Sequence, residues 1–212
     1  LDTNEQSSEK FTEPARSQSG ALWTALAMLA VGAAAFLYVL FAAASKPGEP
    51  VTGLARFATG PMHALVVRSD PPDMPTRLIR DAAGNQTTLA AMGGDLVIVN
   101  LWATWCSPCM EEMPTLGALQ RRYDPTRVHV VAVNLDDDAD RDKAQAQLAK
   151  LTQGSLALYT DSSRGVLFDI DTDGMPVTIF YKNGREIARL AGGADWDSAQ
   201  AKALVDAALA GP

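Results

Sequence analysis

DLVIVNLWATWCSPCMEEMP, residues 95–114, joins a continuous apolar run to a cysteine pair and then to a helix-forming stretch. DLVIVNLWA has the composition of a central strand covered on both faces. Pro108 suits the first turn of a helix, which continues through MEEMPTLGALQRRY with an expected kink at Pro114. Cys106 and Cys109, the two cysteines of the chain, therefore stand where a buried strand turns into a helix. There the first sulfur sits at or beside the N-cap, where free backbone N–H groups and the positive helix end stabilise a thiolate. The second, one turn further on, is expected to be more buried and within bridging distance. An exposed attacking thiolate with a neighbour that resolves the mixed disulfide is what thiol–disulfide exchange requires.

Other uses of the pair fit less well. A purely structural bridge across so small a ring would remove little unfolded-state entropy. Zinc would need His63 and His129, which match no finger spacing; one lies in a linker and the other inside an alternating strand. A peroxidatic cysteine would want Thr or Ser three residues before it, where Ala103 stands. DIDTDG, Asp169–Gly174, imitates half a calcium loop, but Phe180 occupies the place of the bidentate Glu. Asp136–Asp138 reads as a charged helix start rather than a magnesium site. No metal and no cofactor beyond a redox-active Cys106–Cys109 disulfide is expected.

Working outward, TRLIRD alternates and AAGN turns, while RVHVVAVNL is a second buried strand. DDDADRDKAQAQLAKL places acids before and at the start of a helix. SLALYT is a short strand and SSRGVLFDI a short helix; PVTIFY and EIARLAG pair through KNGR, an Asn-Gly hairpin turn. DWDSAQAKALVDAALA closes the chain as an amphipathic helix. Strands alternating with helices predict an α/β fold, a mixed central sheet with helices on both faces.

The chain has 212 residues and a net charge of −7, with Lys and Arg scattered, which excludes a phosphate-tracking surface. Residues 1–20 are polar and aperiodic and are expected to be a disordered tail. Residues 21–44, ALWTALAMLAVGAAAFLYVLFAAA, carry no charge and are long enough to cross a bilayer as one transmembrane anchor, with Trp23 and Tyr38 as interfacial aromatics. Ala42–Ala44 would suit a signal-peptide cleavage site, but the apolar run exceeds the ~7–15 residues of a signal core. Lys10 and Arg16 against Lys46 and Arg56 leave orientation undecided. Residues 45–75 read as a linker, partly packed near HALVV, and 76–212 as the catalytic domain.

VNLWATWCSPCMEEMP resembles the active-site signature of the TlpA-type thioredoxin-like proteins, the branch with ResA-like and CcmG-like members. The resemblance covers roughly residue 76 to the C-terminus and implies a thioredoxin-like fold and thiol:disulfide oxidoreductase activity. On it, Cys106 is the nucleophile, Cys109 the resolving thiol, and Glu112 a semi-buried acid that accepts and returns a proton. Trp105, Ser107 and Pro108 would meet the partner. GMP, Gly174–Pro176, matches the family's cis-proline loop, where the Met175 backbone would pair with an extended peptide beside Pro176. Asn100 stands where ordinary thioredoxins carry a buried aspartate, which moves proton handling to Glu112.

The resemblance further implies a bacterial inner-membrane protein with its domain in the periplasm. Its expected clients are disulfides of copper chaperones or cytochrome oxidase subunits, with re-reduction by a membrane thiol donor of the DsbD or CcdA type. Reduction of apocytochrome c cysteines, a disulfide-forming oxidant and a redox-sensing binding module remain alternatives.

Overall fold

The computed structural model describes residues 53–172 and 174–211, together with residues 23, 26, 28–33, 35 and 36. The chain divides into two units, Leu1–Pro50 and Val51–Pro212. In the first, the described residues are helical and exposed. Among the described residues no helix is long and apolar enough to cross a membrane. Much of the expected anchor at 21–44, Tyr38 included, and the whole expected tail at 1–20 lie outside the described residues.

In the second unit, the apolar run forms β4 (Leu96–Trp102), buried at every position. It is flanked on one side by parallel β5 (Val128–Asn134) and on the other by antiparallel β7 (Val177–Lys182). The sheet continues outward through β6 (Leu158–Thr160) and β8 (Arg185–Ala191). At its edges are β1 (Leu65–Val67), β2 (Leu78–Arg80) and β3 (Gln86–Thr88). The order is β1-β8-β7-β4-β5-β6-β2-β3. The helices are α1 (Ser107–Arg122), α2 (Arg141–Thr152), α3 (Gly165–Ile170) and α4 (Ala199–Ala210). The mixed sheet is the α/β arrangement expected from the alternation of strands and helices, and it is the thioredoxin-like fold that the resemblance implies.

Side-chain alternation sorts β4 between two cores. Leu96, Ile98 and Trp102 face the side packed with Met113, Leu116 and Leu119 of α1, and with Leu204 and Val205 of α4. Val97, Val99 and Leu101 face the side of Val166 and Ile170 of α3. Asn100 has the parity of Ile98 and Trp102, so the pleat delivers a polar group to the face under α1.

The Asn-Gly turn forms between β7 and β8, with Asn183 at φ 51° and Gly184 at φ 72°, the pair of left-handed residues a two-residue hairpin needs. Helix α1 runs through Pro114 without ending there. Within the segment read as a linker, short 3-10 turns form at Gly53–Phe57 and Gly60–Met62, and β1 pairs with β8 at Leu65↔Leu190.

A buried ion cluster ties this edge to α3. Glu186 accepts from Arg68 Nε at 2.8 Å and from Arg189 Nε at 2.6 Å, while Arg189 Nη2 donates to the Ile170 carbonyl at 2.8 Å. Burial pushes the Glu186 carboxyl up, but the bonds from Arg189 and Arg68 outweigh it and hold it below the usual carboxylate range. A depressed folded pKa contributes stability above the unfolded value, which is lost as pH falls through the folded one. Glu186→Gln is therefore expected to cost about 1–3 kcal/mol at pH 7 in denaturant titrations. The gap to wild type should begin to narrow below the ordinary glutamate value of about 4.3 and close only as the pH falls through the lowered folded one; a gap constant across pH would contradict the ion pairing.

Candidate active site

The end of β4 and the start of α1 are held by a turn in which Cys106 N–H donates to the Ala103 carbonyl at 3.1 Å. Asp136, just past the end of β5 and 3% exposed, accepts the Thr104 N–H at 2.9 Å and Asn134 Nδ2 at 3.0 Å. Leu135 N–H donates to the Trp102 carbonyl at 2.9 Å, so the strand ends are laced together directly beneath the cysteine turn. Read from sequence, Asp136 is only helix-start charge. Its position just after a buried strand adjacent to the cysteine strand is the signal that it fastens this turn.

Cys106 is the N-cap of α1 and Pro108 lies in the first turn, as the sequence implies. Cys106 and Cys109 are bridged, with Cα atoms 5.3 Å apart. Their exposures are 7% and 0%. Cys106 is thus less exposed than the sequence leads one to expect of an attacking sulfur; the asymmetry between the two sulfurs remains. Access to Cys106 is through a groove lined by Trp105, Ser107, Pro108, Leu167, Thr172 and Met175. Trp105 is 63% exposed. Met175–Pro176 is a cis peptide bond. The structure therefore brings together Trp105, Cys106, Ser107, Pro108 and Met175, with Pro176 next in the chain. Leu167 and Thr172, from α3 and the residues after it, join the groove without any motif that marks them. Ser107 Oγ donates to Glu111 at 3.3 Å on the exposed side of the helix.

Behind the cysteines, Glu112 follows Cys109 by three positions and so lies on the same helix face. It is 3% exposed and accepts three kinds of donor. Asn100 Nδ2 reaches Oε1 at 2.7 Å; Trp196 Nε1 and Ala194 N–H reach Oε2 at 3.0 and 3.1 Å. Asn100 Nδ2 also donates to Thr178 Oγ1 at 2.9 Å, its register partner on β7. Burial pushes the Glu112 carboxyl above its ordinary range, and the bonds from Trp196, Asn100 and Ala194 oppose that without cancelling it. A cleft of about 420 Å³, lined by Pro61, Pro108, Glu111, Thr115, Gly193 and Asp195, opens onto Glu112. The arrangement offers a protected sulfur, a more accessible one, and a buried base with a route to water. Sequence reasoning missed Trp196 and Thr178, which lie 84 and 66 positions further along the chain than Glu112.

Among the described residues no group of three or more His, Cys, Asp or Glu is placed to hold a metal ion. His129 Nδ1 instead lies 3.0 Å from the Gly93 carbonyl, and His63 Nδ1 3.1 Å from that of Gly60.

The Redoxin family model matches residues 70–204. The chain is 30% identical over 100 residues to the thioredoxin-like protein YneN of Bacillus subtilis, covering 47% of this chain and 58% of that one. It is 26% identical over 125 residues to the thiol-disulfide oxidoreductase ResA of the same organism, covering 59% and 68%. A solved structure assigned as the thiol:disulfide interchange protein DsbE of Chlorobium tepidum aligns with a TM-score of 0.57 and 26% identity, covering 66% of this chain and 96% of that one.

Proposed function

The chain belongs to the Redoxin family, among its TlpA-like thiol-disulfide oxidoreductases, and from that premise we propose that it reduces disulfides in partner proteins at the periplasmic face of a bacterial inner membrane. Cys106 thiolate attacks a partner disulfide, and one partner sulfur leaves as a thiolate while the other is held on Cys106. Cys109 then attacks Cys106, the partner departs with both sulfurs reduced, and the Cys106–Cys109 bridge remains. A membrane thiol donor of the DsbD or CcdA type restores the dithiol. Residues 21–44 hold the protein to the membrane, and the clients are copper-carrying subunits or assembly chaperones of cytochrome oxidase, whose cysteines must be reduced to take metal.

The observation that carries this reading is the asymmetry of the bridge. One sulfur caps a helix beside an open groove, and the other is sealed at 0% exposure one turn from a buried carboxylate. The groove suits an extended peptide laid against Met175 and Trp105.

Direction is tested by the reduction potential of the Cys106–Cys109 couple. A value at or below about −230 mV supports a reductase, and one near about −120 mV overturns it in favour of an oxidant. Client class is tested with Cys109→Ser, which should leave a mixed disulfide on Cys106 for mass spectrometry. Recovery of apocytochrome c in place of copper-site proteins would redirect the client assignment.

A further inference from the structure

We propose that Trp196 is a positioning residue of the exchange reaction, holding the Glu112 carboxylate through its indole N–H so that it takes the Cys109 proton as the mixed disulfide is resolved. The inference rests on Glu112 as proton acceptor and adds a residue that lies in no cysteine motif.

Trp196 stands between β8 and α4, fully buried, with its ring tilted against Phe180 at 5.9 Å between centroids. Segment 194–196 is tied to one turn of α1 by three hydrogen bonds. Ala194 N–H and Trp196 Nε1 converge on Glu112 Oε2, and Trp196 N–H donates to Thr115 Oγ1 at 3.1 Å. Thr115 Oγ1 in turn donates to the Glu112 carbonyl at 2.7 Å. The ring packing and the backbone bond fix where the indole N–H points, and it points at the carboxylate. Burial alone does not force such a partner on a tryptophan here: Trp102 is equally buried, and its Nε1 has none among the described residues.

Among the described residues no cation acts on Glu112 to hold its charge. Cys106 and Cys109 at the start of its own helix, Glu111 beside it and Asp195 across the cleft are the titratable groups near it. Facing it from β4 and β7 are uncharged Asn100 and Thr178. Hydrogen bonds therefore sustain the ionised form, and two of the three donors come from segment 194–196. In the resolving step Cys109 gives its proton to Glu112 and its sulfur attacks Cys106. The Cys106–Cys109 bond forms and the bond from Cys106 to the partner sulfur breaks. The partner leaves as a thiolate that water protonates, having gained the two electrons this dithiol has lost. Glu112 releases its proton through the cleft.

The test mixes the reduced full chain with excess oxidised glutathione across a range of pH. Resolution is read as the phase whose rate no longer depends on glutathione concentration. Trp196→Phe keeps an aromatic ring; 3-benzothienylalanine at position 196 keeps the two-ring shape and loses only the N–H, so it carries the test if the phenylalanine variant does not fold. Losing a donor to the carboxylate disfavours its ionised form. The acid limb of the profile should therefore move up by about one pH unit, slowing resolution roughly tenfold below the midpoint. The high-pH plateau should be retained. Folded variants with the wild-type profile would reduce Trp196 to a packing residue.

Glu112→Gln separates this failure from failure of the premise. Its amide can donate to Asn100 Oδ1, which has no partner among the described residues, if the Asn100 amide turns over. It should thus fold and lose the acid limb altogether. If Glu112→Gln keeps the wild-type limb, Glu112 itself is not the acceptor.

Discussion

Cys106→Ser is expected to reduce disulfide exchange by the chain to the rate of the added reductant alone. Exchange requires a thiolate, and a serine hydroxyl at an N-cap is not ionised at neutral pH nor able to form a mixed disulfide. The remaining sulfur cannot take over, because Cys109, in the first turn of α1, is fully buried and offers no exposed surface to a partner disulfide. Reduction of insulin by the chain with dithiothreitol checks this. Turnover clearly above the dithiothreitol background would show that Cys106 is not the attacking group. Folding should survive, since the bridge encloses only two intervening residues and constrains the unfolded chain little. Wild-type turnover abolished by this single change would also exclude a binding module that merely senses redox state.

Gly117→Val is expected to cost the most stability of any single change discussed. A Cβ at Gly117 would lie 2.8 Å from Thr152 Cα and 2.9 Å from Thr152 Cβ, at the C-terminal turn of α2. The obstructing atoms include backbone, so the two helices must separate rather than a side chain turn aside. The junction is also bonded: Ser155 Oγ donates to the Gly117 carbonyl at 3.0 Å, and Arg121 Nη1 to that of Thr152 at 2.7 Å. Overpacking of this kind costs about 2–3 kcal/mol or more, which for a domain of this size lowers Tm by roughly 5–10 °C. Thermal unfolding of the variant checks it, and an unchanged Tm would mean that α1 and α2 can part freely. Because α1 also carries Cys109 and Glu112, the loss in exchange rate should be larger than for an equally destabilising change on α4.

The elements built from long apolar runs were readable because burial on both faces leaves a composition that no loop shares. β4, β5 and the β7–β8 hairpin with its Asn-Gly turn belong to this class. β1 and β3, three residues each at the sheet edges, were not readable. Half-exposed edge strands need no apolar period, and their pairing is decided by the neighbour that accepts them. Asp136 illustrates the same limit at the site. Its chemistry is that of any acid before a helix, and only the adjacency of β4 and β5 turns it into the acceptor for Thr104 N–H.

By itself the sequence determined where the reacting sulfurs stand. A buried strand running into Cys-Ser-Pro-Cys puts one thiol at a helix N-terminus and the other a turn inside, because local backbone geometry is set by residues a few positions apart. That Glu112 is an acid set near Cys109 was implied by the resemblance of the motif to its family, and the helical spacing of three positions agrees with it. What only the tertiary structure decided is which groups surround that carboxylate and oppose the cost of burying its charge. Its donors come from β4, from the residues after β8 and from Trp196, brought together by strand register and by the packing of the C-terminal segment against α1. Hydrogen bonds act over about 3 Å, whereas the groups that make them are up to 84 positions apart, and no local pattern records such a meeting.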